Sequence, residues 1–229
     1  MDIGAIIEII KNPQPLLESL PPLLTYAVLF FTIFAESGLL IGFFLPGDSL
    51  LFIAGILASV NSKSDPTQML LNILILLPLL IVAAVLGDNV GFYTGKYYGK
   101  RLFEKEDGII FKKKYLIIAK KYYDKRGSIA IILARFVPAV RSFAPIIAGV
   151  VDMNHTKFMK YNFIGGVTWV TTLLLLGYFL GAYLRKQGID IEKIILPITI
   201  IVVICSFGIA YLESKHSQKE GEELPEIVI

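Results

Sequence analysis

Four charged residues stand inside apolar stretches of the chain: Glu36, Asp48, Arg135 and Arg141. At the centre of a membrane helix a charge costs roughly 2.5 to 3.5 kcal/mol. Four unpaired ones would then cost on the order of 10 to 14 kcal/mol, comparable with the net stability of a whole domain. Side chains of this kind must face one another or water. A guanidinium stays protonated and offers a planar fork that fits phosphate, which makes Arg135 and Arg141 candidates for binding a lipid phosphate or other anion. Carboxylates in a membrane cavity can take up and release protons, so Glu36 and Asp48 are candidates for proton coupling. The plainer alternative makes Asp48 a helix N-cap and the other three a paired glue. Asp88, in Gly87-Asp88-Asn89, is a further intramembrane acid, either a relay or a hydrogen-bonding partner for a hairpin.

The elements that must position these groups follow from composition. Of the 229 residues, 55% are hydrophobic and only 18% charged, which excludes an ordinary water-soluble globule. Apolar stretches run over 23–45, 49–60, 69–95, 128–151, 161–184 and 194–212. Since a spanning helix needs roughly 20 apolar residues, the expected fold class is an all-α polytopic membrane protein. Residues 1–22, with prolines at 13, 15, 21 and 22 and no basic start, are expected as an interfacial segment rather than a cleaved signal. The single cysteine, Cys205, offers neither a disulfide nor a zinc cluster, so no metal or cofactor is expected.

Charge sets the orientation. Eleven of the 22 basic residues fall between Lys96 and Arg126, which places this central loop in the cytoplasm by the positive-inside rule. Within it Phe111, Tyr115, Ile118, Ala119 and Tyr122 recur at helical spacing, the pattern either of an amphipathic helix lying on anionic lipid or of a solvated linker that serves only as an orientation signal. Nucleic acid is not an expected partner for a patch tethered between membrane segments. By alternation, residues 61–68 lie outside and the tail 213–229 is cytoplasmic.

Two stretches are too short to span. Residues 49–60 would make a helix of about 18 Å against a hydrocarbon core of roughly 30 Å. Pro46 and Gly47 break the chain before it, and Asp48 or Ser49 can cap the outgoing helix. Residues 128–151 repeat the idea, divided by Pro138 and Pro145. Each short stretch precedes a longer helix carrying small residues at spacing four: Gly91, Gly95 and Gly99 in the first half, Gly177 and Gly181 in the second. Two re-entrant hairpins entering from opposite sides form an inverted-topology repeat, 23–99 and 128–212 about the loop 100–127, with a polar cavity between them. Trp169, Tyr178 and Tyr183 read as packing or interfacial aromatics.

These pieces resemble the DedA family, also described as the VTT or SNARE-associated domain family. The matching segments are Phe34-Ala35-Glu36 to Pro46-Gly47-Asp48-Ser49, Gly87-Asp88 with Gly91, Phe92, Gly95 and Gly99, and Arg135-Phe136-Val137-Pro138 through Arg141 to Ala148-Gly149. Lys96 stands where many members carry arginine. The resemblance implies re-entrant hairpins and, in bacteria, membrane homeostasis that depends on the proton-motive force and supports envelope integrity. It further implies that the positions of Glu36, Asp48, Arg135 and Arg141 are tied to activity. Some members are implicated in returning undecaprenyl phosphate to the cytoplasmic leaflet. The function expected on this basis is a proton-coupled flippase of a lipid phosphate in the inner membrane, with lipid phosphate, protons and the bilayer as partners. A non-selective phospholipid scramblase and a structural or assembly protein are the alternatives. A lipid phosphatase is disfavoured because the two histidines, His155 and His216, are isolated from each other.

Overall fold

A computed structural model describes residues 21–39, 47–60, 71–104, 129–135 and 138–188. The segment before residue 21 expected to be interfacial, Pro46, the loop 61–68 expected outside, most of the basic loop expected in the cytoplasm, the last apolar stretch 194–212 and the tail lie outside the described residues. Among the described residues all regular structure is helical.

Local sequence explains where each helix begins and ends. Helix α1 (Pro22–Gly38) starts with proline at its first position, where no N–H is needed, and stops at a glycine. Helix α2 (Gly47–Val60) opens with Gly47, so Asp48 lies inside the first turn rather than in the capping position expected of it. Helix α3 (Ile73–Glu104) is capped by Asn72, whose Oδ1 accepts from Leu74 N–H at 2.9 Å. The Asn72 N–H donates to the Tyr26 hydroxyl at 2.6 Å, tying the start of α3 to α1. Three short helices come next: α4 (Ile129–Ala134), α5 (Pro138–Arg141) and α6 (Ala144–Val150). Both prolines of this region begin helices, Pro138 as the first residue of α5 and Pro145 near the start of α6. Helix α7 (His155–Lys186) is capped by Asn154, which accepts from Lys157 N–H at 3.1 Å, and carries Arg185 and Lys186 in its last turn.

Among the described residues two helices are long and apolar enough to cross a membrane, over Ile73–Gly99 and His155–Lys186. With 17 and 14 residues, α1 and α2 reach only about 25 and 21 Å. Packing partners are exchanged between the halves of the chain. Helix α2 lies along α7, and α6 lies along α3, while α1 also packs on α3. The glycines set these approaches. A Cβ on Gly95 would strike the Ile146 carbonyl, one on Gly149 the Phe92 carbonyl, and one on Gly177 the Phe52 carbonyl. So each glycine-bearing long helix receives the short helix of the other half.

Two apolar clusters result. The larger joins Leu29 and Ile33 of α1, Leu51, Ile53 and Ala54 of α2, Leu76, Leu80 and Ala83 of α3, and Trp169, Val170 and Leu174 of α7. The smaller gathers Phe92, Ile131, Ala148 and Phe158, with the Phe92 and Phe158 rings stacked at 4.5 Å between centroids. Buried charged groups lie where these helices converge.

Candidate functional site

Of the four charges singled out from sequence, Glu36, Asp48 and Arg141 meet, while Arg135 is paired elsewhere. Arg141, at the end of α5, donates through Nη2 to Glu36 Oε1 of α1 and through Nη1 to Asp48 Oδ1 of α2. One guanidinium thus bridges two acids from the first half of the chain. The carbonyl of Glu36 accepts from the neighbouring Ser142 hydroxyl at 3.2 Å, which fixes the turn after α5 against α1.

Gly47 has a specific part in this arrangement. A Cβ there would occupy the place of the Glu36 carboxylate. Glycine at this position makes room for the acid; the sequence showed only a helix breaker.

Arg135 forms a second cluster. It sits in the turn after α4 and donates through Nη2 to both Asp88 Oδ2 of α3 and Asn162 Oδ1 of α7. Asn162 in turn donates to the Val85 carbonyl at 3.2 Å. The arginine stem runs over Gly165 and Gly166, where a Cβ on Gly165 would come within 2.9 Å of Arg135 Cδ. Asp88 is therefore the counter-ion of Arg135. Its salt bridge is almost wholly buried, with 5% side-chain exposure on each partner, whereas Arg141 and Asp48 retain 12% and 17%.

Trp169 joins the clusters. Its indole N–H donates to Asp48 Oδ1 at 2.9 Å, and its ring lies 5.0 Å from the Arg141 guanidinium carbon and 6.0 Å from that of Arg135. The ring packs in the larger core, one of the two roles expected of it, and is in addition bound to the charged groups, which was not expected. Tyr178 does pack against the larger core, and Tyr183 is exposed. Asn162 and Trp169 are the two residues whose place in the site sequence reasoning missed, and both stand on the inward face of α7.

Three carboxylates face two guanidiniums, a formal charge of −1. Glu36 Oε2, Arg135 Nε and Arg141 Nε are buried without hydrogen-bond partners, so the site holds both an acceptor and donors still to be satisfied. Such an arrangement can bind a proton on the acids and can offer guanidinium donors to an anion when a carboxylate lets go. No group of three or more His, Cys, Asp or Glu side chains suited to a metal occurs among the described residues. Lys96 pairs instead with Asp152, at 3.3 Å on the exposed surface.

A VTT-domain family model matches residues 45–179, which includes most of this constellation. The chain belongs to the DedA family. Among curated relatives, protein DedA of Escherichia coli K12 is 40% identical over 179 residues, 78% of each chain. An uncharacterized membrane protein of Mycobacterium tuberculosis is 40% identical over 172 residues, 75% of this chain and 72% of its own. Inner membrane protein YqjA of E. coli K12 is 33% identical over 189 residues, 81% and 80% of the two chains. No solved structure matches. This DedA-family chain is accordingly a membrane protein, consistent with its two long apolar helices, and these relatives carry no enzyme names.

Proposed function

We propose that this DedA-family protein carries a phosphate-bearing lipid, undecaprenyl phosphate foremost, across the inner membrane with coupling to the proton-motive force. The reading rests chiefly on one observation: Arg141 is held by Glu36 and Asp48 together, inside an apolar helical packing. A guanidinium whose two Nη groups are held by two carboxylates does not offer its fork to phosphate. Proton uptake by the acids weakens that hold and frees the fork for a phosphate headgroup; release of the headgroup lets the acids reclaim it. Arg141 receives the anion in this scheme because it is the more exposed arginine. Arg135, anchored by Asp88 and Asn162, is the second donor.

The scheme places α1–α2 and α4–α6 as re-entrant hairpins of an inverted-topology repeat, with the basic loop and the tail in the cytoplasm. Exchange of short helices between the halves supports this reading, since a site shared by two repeats can open to either side by rocking one against the other. No bond is made or broken, and no metal or cofactor takes part.

Proteoliposomes with labelled undecaprenyl phosphate and an imposed proton gradient test the proposal. Gradient-driven transport is expected in the wild type and lost in Glu36→Gln combined with Arg141→Ala. Transport unaffected by the double substitution would sink the assignment. Movement that needs no gradient and ignores headgroup chemistry would identify a scramblase instead.

A further inference from the structure

We propose that Trp169 is a positioning residue that makes the two charged clusters act as one site. Three observations converge on it. The indole N–H donates to the same Asp48 Oδ1 that accepts from Arg141, so Trp169 and Arg141 hold one carboxylate oxygen from two directions. The ring lies within cation–π range of Arg141 and at its limit for Arg135. The residue itself is 3% exposed.

The consequence is mechanical as well as electrostatic. Asp48 is the acid of α2, and α2 packs chiefly on α7, the helix that bears Trp169 and Asn162. The Asn162 side chain holds Arg135, seven residues and about two turns from Trp169 on the same face. When Asp48 lets go of Arg141, the indole loses its acceptor or moves with it, and the ring's contact with Arg135 changes in the same movement. Trp169 thus touches both the Arg141–Glu36–Asp48 cluster and the Arg135–Asp88–Asn162 cluster with one rigid side chain.

Trp169 is the only tryptophan of the chain, so its own emission reports the site. The full-length protein, reconstituted in vesicles containing phosphatidylglycerol, is compared with Asp48→Asn, from one cluster, and with Asp88→Asn and Asn162→Ser, from the other. Each variant is first shown to be monodisperse and is measured below its own melting temperature. Emission altered by Asp48→Asn and by at least one of the second pair is the expected result. Emission moved by Asp48→Asn alone, or by none of the substitutions, overturns the proposal.

The transport arm rests on the lipid-phosphate reading of the site. Trp169→Phe keeps a ring beside the arginines and removes the N–H, and is expected to slow transport about tenfold or more, the equivalent of one hydrogen bond to a charged group. A ring that merely filled space would tolerate phenylalanine at wild-type rate. Should emission respond to both clusters while no variant, wild type included, carries polyprenyl phosphate, the coupling stands and the transport reading falls.

Discussion

Single residues here have consequences far larger than surface positions, because their partners are buried. Asn162 accepts from Arg135 and donates to the Val85 carbonyl. Asn162→Leu leaves a carbonyl and a guanidinium short of a partner, and is expected to lower stability by about 1 to 3 kcal/mol, read from chemical denaturation in detergent. Gly47→Ala puts a methyl group where the Glu36 carboxylate sits. The acid must then move from its place beside Arg141, so transport is expected to fall while α2 keeps its helix; parallel transport and circular dichroism measurements check this. The charged residues were legible in the sequence because a lone Arg or Glu in an apolar run is costly enough to stand out. Their pairing was not: Arg141 and Glu36 are separated by 105 positions, and no local pattern connects them. Asn162 and Trp169 were illegible for a different reason, since a single amide or indole on a 32-residue helix is no anomaly until its neighbours are known.

At the scale of elements, the glycine stripes and the proline breaks were readable, and their spacing gave the right kind of contact. The partner of each contact lay beyond the reach of spacing. Gly95 and Gly149 hold α3 against α6, and Gly55 and Gly177 hold α2 against α7, each a contact between halves. At these positions the obstacle to a side chain is backbone, which cannot rotate away. Gly95→Ala and Gly177→Ala are each expected to destabilise by on the order of 1 to 3 kcal/mol, as overpacking does, with a lowered thermal midpoint in detergent. Gly188, with a φ of 68° but nothing near its missing Cβ, is the useful comparison: Gly188→Ala meets backbone strain alone, and its penalty should be about 1 kcal/mol.

For the whole molecule, membrane character was legible from composition and is matched by its relatives' names. The proposed orientation has a direct test. In a background with Cys205→Ser, cysteines placed at the exposed positions Thr156 and Gln187 flank the two ends of α7. An impermeant maleimide is expected to label residue 156 only from the cytoplasmic side and residue 187 only from outside. Equal labelling of both from one face would contradict the orientation.

The bridge from Arg141 to Asp48 also sets an order of events in time. The two are 93 positions apart, and at synthesis rates of about 5 to 20 residues per second the acid precedes its base by on the order of 5 to 20 s. During that interval Glu36 and Asp48 lack the guanidinium of Arg141. The first short helices must therefore wait near the membrane surface, or enter carrying protons, until the second half arrives. Assembly of the nascent chain is then gated by a single late arginine, and ribosome-bound chains ending before residue 141 should hold α2 accessible to aqueous reagents that longer chains exclude.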